Sequence, residues 1–294
     1  MTWFKRLLIL NIVVQSGIIV TGAIVRVTGS GLGCPTWPEC VSGSIVPTDE
    51  QTETWTKYVE FGNRTLTGVL GVVAVAVAVA VFKKSSDLQT RLWGLLPLAG
   101  TFAQAILGGI TVLTGLHPLI VMSHFLLSIG LVAGCIRLWF SFTETPHRGN
   151  SQLHKVLANI FLVTTLTVIT LGTVVTGTGP HSGDENAASR FDFDPRIVAW
   201  IHADAVWLLI GLITSAWVLA AIEWLPSSTK KWLTWVTVVT LSQGAIGYYQ
   251  HFNGLPELLV ILHVLGATLL WISTVMFSSE VSRSPQQEKV STGN

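Results

Sequence analysis

The chain has 294 residues, half of them hydrophobic and only 11% charged, against roughly 25% charged in a soluble domain, and its mean hydropathy is +0.59. Its 17 basic and 16 acidic residues leave a net charge of +1 with no basic run. That excludes a soluble enzyme, a disordered chain and a nucleic-acid-binding module, and leaves a polytopic membrane protein.

Crossing about 30 Å of hydrocarbon takes roughly 20 apolar residues. Stretches of that length predict eight spans: Leu7–Val27, Phe61–Phe82, Trp93–Leu113, Leu119–Phe140, Val156–Thr176, Ile197–Ala221, Trp232–Tyr249 and Glu257–Phe277. They are continuous apolar runs rather than short alternating segments, which favours helices over a barrel, so the expected fold is all-α. The first span follows Lys5 and Arg6 but lacks a small-residue cleavage site, and is read as a span rather than a leader. With both termini cytoplasmic, twelve Lys and Arg fall inside and five outside, the bias of a multi-pass plasma-membrane protein in that orientation.

The loop after the first span carries Gly29-Ser30-Gly31-Leu32-Gly33-Cys34-Pro35-Thr36-Trp37-Pro38-Glu39-Cys40. Its glycines have no strand before them and no helix behind them, so they are not a nucleotide loop. Cys34 and Cys40 lie outside, where disulfides persist; a closed structural loop, a reversible redox pair and a weakly spaced metal pair all remain open. The second span opens with Glu60, Asn63 and Arg64, the fourth holds His124, the sixth His202 and the eighth His263.

The chain repeats itself. Gln104-Ala-Ile-Leu-Gly-Gly resembles Gln243-Gly-Ala-Ile-Gly, and a histidine follows twenty residues after each glutamine; the offset, 139, also carries Asn63 onto His202. Val27-Thr28-Gly29 echoes Val175-Thr176-Gly177 at an offset of 148. We read two tandem four-helix bundles related by a pseudo-twofold axis along the membrane normal. Residues 1–145 form the first half and 146–278 the second; a polar, disordered cytoplasmic tail covers 279–294. The boundary falls in the inner connection Ser141–Lys155, with Pro146, Gly149 and Asn150.

Ionisable groups inside a span are costly and mark function. His124, His202 and His263 all sit one to two turns below the outer surface. A buried histidine can simply bond a neighbouring carbonyl, but His202 and His263 start from the same side of one bundle and can converge. Two opposed neutral imidazoles without cysteine or carboxylate partners suit an axial haem site better than zinc. In the first half His124 stands opposite Asn63, a poor iron ligand. Glu60 shares a face with Asn63 and is a candidate general base or charge stabiliser, or else a wetted interfacial acid. Arg26 and Arg64, at outer helix ends, either hold porphyrin propionates or snorkel to head groups. Asp204, two residues from His202, points to another face.

The residues Thr28 through Cys40, Glu60-Phe61-Gly62-Asn63-Arg64, Gln104 through His124, His202 and Gln243 through His263 together resemble haem A synthase along essentially the whole chain. The resemblance implies a membrane oxidoreductase that converts the C8 methyl of haem O to a formyl group by successive hydroxylations. It implies haem B as cofactor between His202 and His263. Substrate haem O would lie at the positions of Asn63 and His124, Glu60 would be catalytic, and Cys34 and Cys40 would form a disulfide. It also implies the haem O-forming enzyme and an electron acceptor as partners, beside the lipid bilayer. The chain departs from the family at Asn63, where histidine is usual, which leaves a five-coordinate iron on His124 or an outside ligand such as His117. The alternative is a membrane b-type cytochrome that transfers electrons without a substrate of its own. A transporter would place its charges at the midplane, whereas these residues lie near one surface.

Overall fold

The computed structural model describes residues 2–49, 51, 54–143, 152–184, 187 and 189–283. Its helices are α1 (Trp3–Val27), α2 (Thr56–Lys84), α3 (Leu88–Leu113), α4 (Pro118–Thr143), α5 (Gln152–Thr178), α6 (Pro195–Ala221), α7 (Thr229–Phe252) and α8 (Glu257–Ser282). The described residues hold no strand, only an isolated bridge between Val41 and Ser44. Seven helices are long and apolar enough to cross a membrane, and the protein is multi-pass. The exception is α7, diluted by Thr, Ser, Gln and Tyr. The connection containing Pro146, Gly149 and Asn150 lies outside the described residues, as does everything after residue 283. Helix α8 continues to Ser282, so residues 279–282 belong to it rather than to a tail.

The packing inverts the polarity of a soluble protein. Val72, Phe102 and Trp207 are about 70% exposed, each lying 69–72% open on the outside of the bundle. Inside lie Asn11, Gln15, Thr101, Thr165, Thr240 and Thr274. Lipid is as apolar as leucine, so outward Val, Leu and Phe lose nothing there, while polar groups turn inward, away from it. Gln15 donates to Thr101 Oγ1 at 2.9 Å, and Thr101 donates to the Pro97 carbonyl at 2.8 Å.

Two rings of four helices result. Contacts run α1 to α2, α3 and α4 and back to α1, and likewise α5 to α6, α7 and α8 and back to α5. The rings meet through α1 with α8, α4 with α5, and α4 with α8. Displacing Pro118–Thr143 by 139 gives the bounds of α8. The turns that precede these two helices also match. Gly115 and Leu116 adopt φ of 61° and 60°, and Gly254 and Leu255 adopt 71° and 57°; in both, the leucine N–H returns to a carbonyl five residues back, Thr111 or Gln250.

Between α1 and α5 the register differs from the sequence expectation. Buried Phe4, Leu8, Asn11, Gln15 and Ile19 correspond to buried His154, Ala158, Phe161, Thr165 and Ile169, an offset of 150 rather than 148. The string Val-Thr-Gly sits at the helix exits, where glycine and threonine recur for local turn reasons; the buried stripe sets the packing register.

The halves share a core in which Ile12, Ile129, Ile136, Ile169, Trp271 and Met276 interdigitate. Trp271 Nε1 donates to the Ile129 carbonyl at 2.8 Å across it. Trp271→Phe keeps most of the ring but removes this donor, and should lower stability by about 0.5–1.5 kcal/mol. The melting temperature of the detergent-solubilised chain reads it; an unchanged value would show that the bond contributes nothing.

Candidate functional site

The outer loop of the first half is locked onto α2. Cys34 and Cys40 form a disulfide and are fully buried. Gly33 lies so close to α2 that a Cβ there would stand 2.8 Å from the backbone of Lys57. Trp37 lies flat on Gly109 of α3, where any side chain would collide with its ring. Glu60 is buried at the centre of this assembly. One carboxylate oxygen accepts the Cys34 N–H at 2.7 Å, and the other accepts from Arg64 Nε at 3.0 Å and Nη2 at 2.5 Å. Arg64 also donates to the carbonyls of Cys34, Thr36 and Glu39.

These contacts revise the expected roles of the arginines. All three Arg64 nitrogens are engaged with Glu60 and the loop. Arg26 turns toward the other half, where Nε donates to the His181 carbonyl at 2.5 Å and Nη2 to that of Thr176 at 2.7 Å. Beside it the Gly31 N–H reaches the Gly183 carbonyl at 2.6 Å, and His181 Nε2 lies 2.9 Å from the Leu255 carbonyl. Arg26 thus joins the halves at the outer surface. Guanidinium groups suit carbonyl clusters as well as carboxylates, which is why spacing alone could not separate the two uses.

The histidines follow one rule. His124 on α4 lies over Gly108 of α3, His202 on α6 over Gly172 of α5, and His263 on α8 over Gly247 of α7. A Cβ on those glycines would stand 3.3, 3.2 and 3.4 Å from the Cε1 of the respective imidazole. Each ring therefore rests on bare backbone of the neighbouring helix. Each Nδ1 is buried without a hydrogen-bond partner, although the Val168 carbonyl of α5 lies near the His202 ring. His154 also leaves its Nδ1 without a partner, but its Nε2 lies 3.2 Å from the Trp224 carbonyl and its ring stacks on Trp224 rather than on a glycine. His202 and His263 occupy helices that are diagonal in their ring, and lie near enough to interact electrostatically.

In the first half α2 and α4 are diagonal in the same way. Asn63 does not reach across; its Oδ1 accepts the Thr21 hydroxyl of α1 at 2.7 Å. His117 sits in the exposed turn before α4, its Nδ1 accepting the Leu119 N–H at 3.3 Å. Asp204 is exposed on α6.

Two residue types escaped the sequence reading. The glycine seats Gly108 and Gly247 lie within the repeated strings, 139 apart, and that coincidence was their available signal. Gln104 and Gln243, four residues before them, face the histidine helices: Gln104 Nε2 donates to the His124 carbonyl at 3.1 Å and to Ser128 at 2.6 Å, while Gln243 fills a notch made by Gly266.

The family model COX15-CtaA, described as cytochrome oxidase assembly protein, matches residues 5–181, more than half of the chain. A protein of Bacillus licheniformis named Heme A synthase is 27% identical over 227 residues, 74% of each chain. One of Bacillus cereus with that name is 25% identical over 276 residues, 86% of this chain and 85% of the relative. A third, of Lysinibacillus sphaericus, is 34% identical over 114 residues, with 38% of this chain matching 36% of that relative's length.

Arg64→Met should strip the loop carbonyls and Glu60 of their donors together. The Arg64 side chain is 22% exposed, so solvent screening limits the cost to about 1–3 kcal/mol. Thermal unfolding should fall accordingly, and the Cys34–Cys40 disulfide should become more accessible to a water-soluble reductant. Unchanged reduction kinetics would refute the clamp.

Proposed function

Because the chain belongs to the haem A synthase family, we propose that it oxidises the C8 methyl of haem O to a formyl group by successive hydroxylations, in the membrane, on the way to haem A. The single observation that carries this reading is the set of three imidazoles on α4, α6 and α8, each seated on a glycine of the neighbouring helix, with no hydrogen bond from the described residues to its Nε2. Buried polar atoms normally find partners. A flat macrocycle lying between diagonal helices fits this donor set: the seats hold the rings edge-on, and the remaining nitrogen of each is available to iron.

In this reading the second half, residues 146–278, holds haem B through His202 and His263, and the first half, residues 1–145, receives haem O. Haem B, when bound, would be held by the His202 and His263 imidazoles and would supply one-electron transfer. His124 holds the substrate iron from one side and Asn63 lies on the other. Glu60, kept in place by Cys34 N–H and Arg64, is the candidate base or stabiliser of positive charge developing at the reacting carbon. The farnesyl tail of haem O stays in hydrocarbon, so entry between helices needs no aqueous channel. Arg26 acts by holding the second outer loop over the first half.

The neighbour pattern of the two rings and the matching outer turns support a pseudo-twofold axis along the membrane normal. Eight crossings, with α7 as the polar one, follow from its position between α6 and α8. Cytoplasmic termini follow from the Lys and Arg distribution. The haem O-forming enzyme is the natural donor, and an electron acceptor must complete the cycle.

Two experiments test the assignment. His202→Ala and His263→Ala should each abolish the low-spin haem spectrum of the purified second-half site; retention of that spectrum refutes the axial pair. Glu60→Gln should accumulate haem O or its alcohol in cells, by mass of the extracted porphyrins. Normal haem A output would end the catalytic role of Glu60, and an absence of any haem conversion by the parent chain would favour the electron-transfer subunit.

A further inference from the structure

Resting on the reading that a porphyrin lies between α2 and α4, we propose that the first half keeps an open ligand position beside Asn63 and Gly22, sized for one small uncharged molecule such as water, dioxygen, carbon monoxide or imidazole. The chain supplies its own comparison. Three corners of the repeat pair an imidazole with a glycine: His124 with Gly108, His202 with Gly172 and His263 with Gly247. The register of α1 on α5 makes Gly22 the counterpart of Gly172, and the offset of 139 makes Asn63 the counterpart of His202. At this fourth corner the glycine is present and the imidazole is not.

The space follows from atoms on both sides. A Cβ on Gly22 would meet nothing within 4 Å, whereas one on Gly172 would stand 3.2 Å from His202 Cε1. Gly22 shares the face of Gln15 and Ile19, both buried, so this side of α1 is turned toward the bundle. The Asn63 carboxamide is shorter than an imidazole and is held back on α1 by Thr21, 2.7 Å from its Oδ1. Its amide nitrogen is left to donate a hydrogen bond to a molecule bound there. His117 does not close the position, because it bonds the start of α4 from the exposed outer turn. A site that lacks one imidazole of a matched set takes a molecule of that size or smaller without moving the backbone, as an apolar or weakly polar void does.

The test is carbon monoxide binding to the dithionite-reduced full chain, purified in detergent with its haem and followed by the Soret band. Parent protein should bind carbon monoxide in the first half, and Asn63→His should lose this response while keeping its total porphyrin, having supplied the missing imidazole. Gly22→Val, which fills the seat instead, should weaken the response with the second-half low-spin signal retained as a check on folding. His124→Ala separates the two levels. If it leaves porphyrin content unchanged, the reading of the first half fails, and this inference with it. If porphyrin depends on His124 but the parent binds no carbon monoxide, or Asn63→His binds as much as the parent, the open position alone is overturned.

Discussion

Three imidazoles, each laid against a glycine of the neighbouring helix, are the constraint on which this structure turns. Leaving a buried polar group unmade costs about 1–3 kcal/mol, and lipid offers no water to relieve it. The Nδ1 atoms of His124, His202, His263 and His154 alike lack a hydrogen-bond partner, but Nε2 of His154 meets the Trp224 carbonyl and Nε2 of His181 that of Leu255. What sets His124, His202 and His263 apart from His154 is the glycine each ring faces and, among the described residues, an Nε2 without a hydrogen bond. The glycines opposite are the other half of the device, since any side chain at Gly108, Gly172 or Gly247 would crowd the ring it faces.

Around this the two halves divide unequally. The second keeps both imidazoles on diagonal helices, an arrangement suited to holding an iron rigidly and exchanging electrons. The first keeps one, replaces the other by Asn63, and adds Glu60. The second half thus offers two imidazoles where the first offers one imidazole and Asn63. Duplication makes this possible without new packing: the two rings, their outer turns and their buried stripes stay matched while single side chains differ.

The loops at one end of the bundle tie these sites together. Arg26, Gly31, Gly183, His181 and Leu255 form a chain of contacts from the first outer loop across the second loop to the turn before α8. The disulfide loop, through Cys34 and Arg64, fixes the Glu60 carboxylate from above. Arg26 works through backbone carbonyls, and Arg64 through loop carbonyls together with the Glu60 carboxylate. These contacts set where Glu60 and the two loops stand.

By itself the sequence determined the all-helical class, the helix positions within a few residues and the repeated strings that put His124 and His263 at corresponding places on α4 and α8. All of these depend on composition and spacing along one chain, which a 1.5 Å rise per residue converts directly into position. It could not tell that α1 and α5 register at 150 rather than 148, because local turn residues at helix exits imitate homology and only the buried stripe reveals packing. Nor could it tell that Arg26 and Arg64 face carbonyls, or that glycines on neighbouring helices carry the imidazoles. Those partners lie up to 155 residues away along the chain, and only the tertiary structure decides which surfaces of two helices meet.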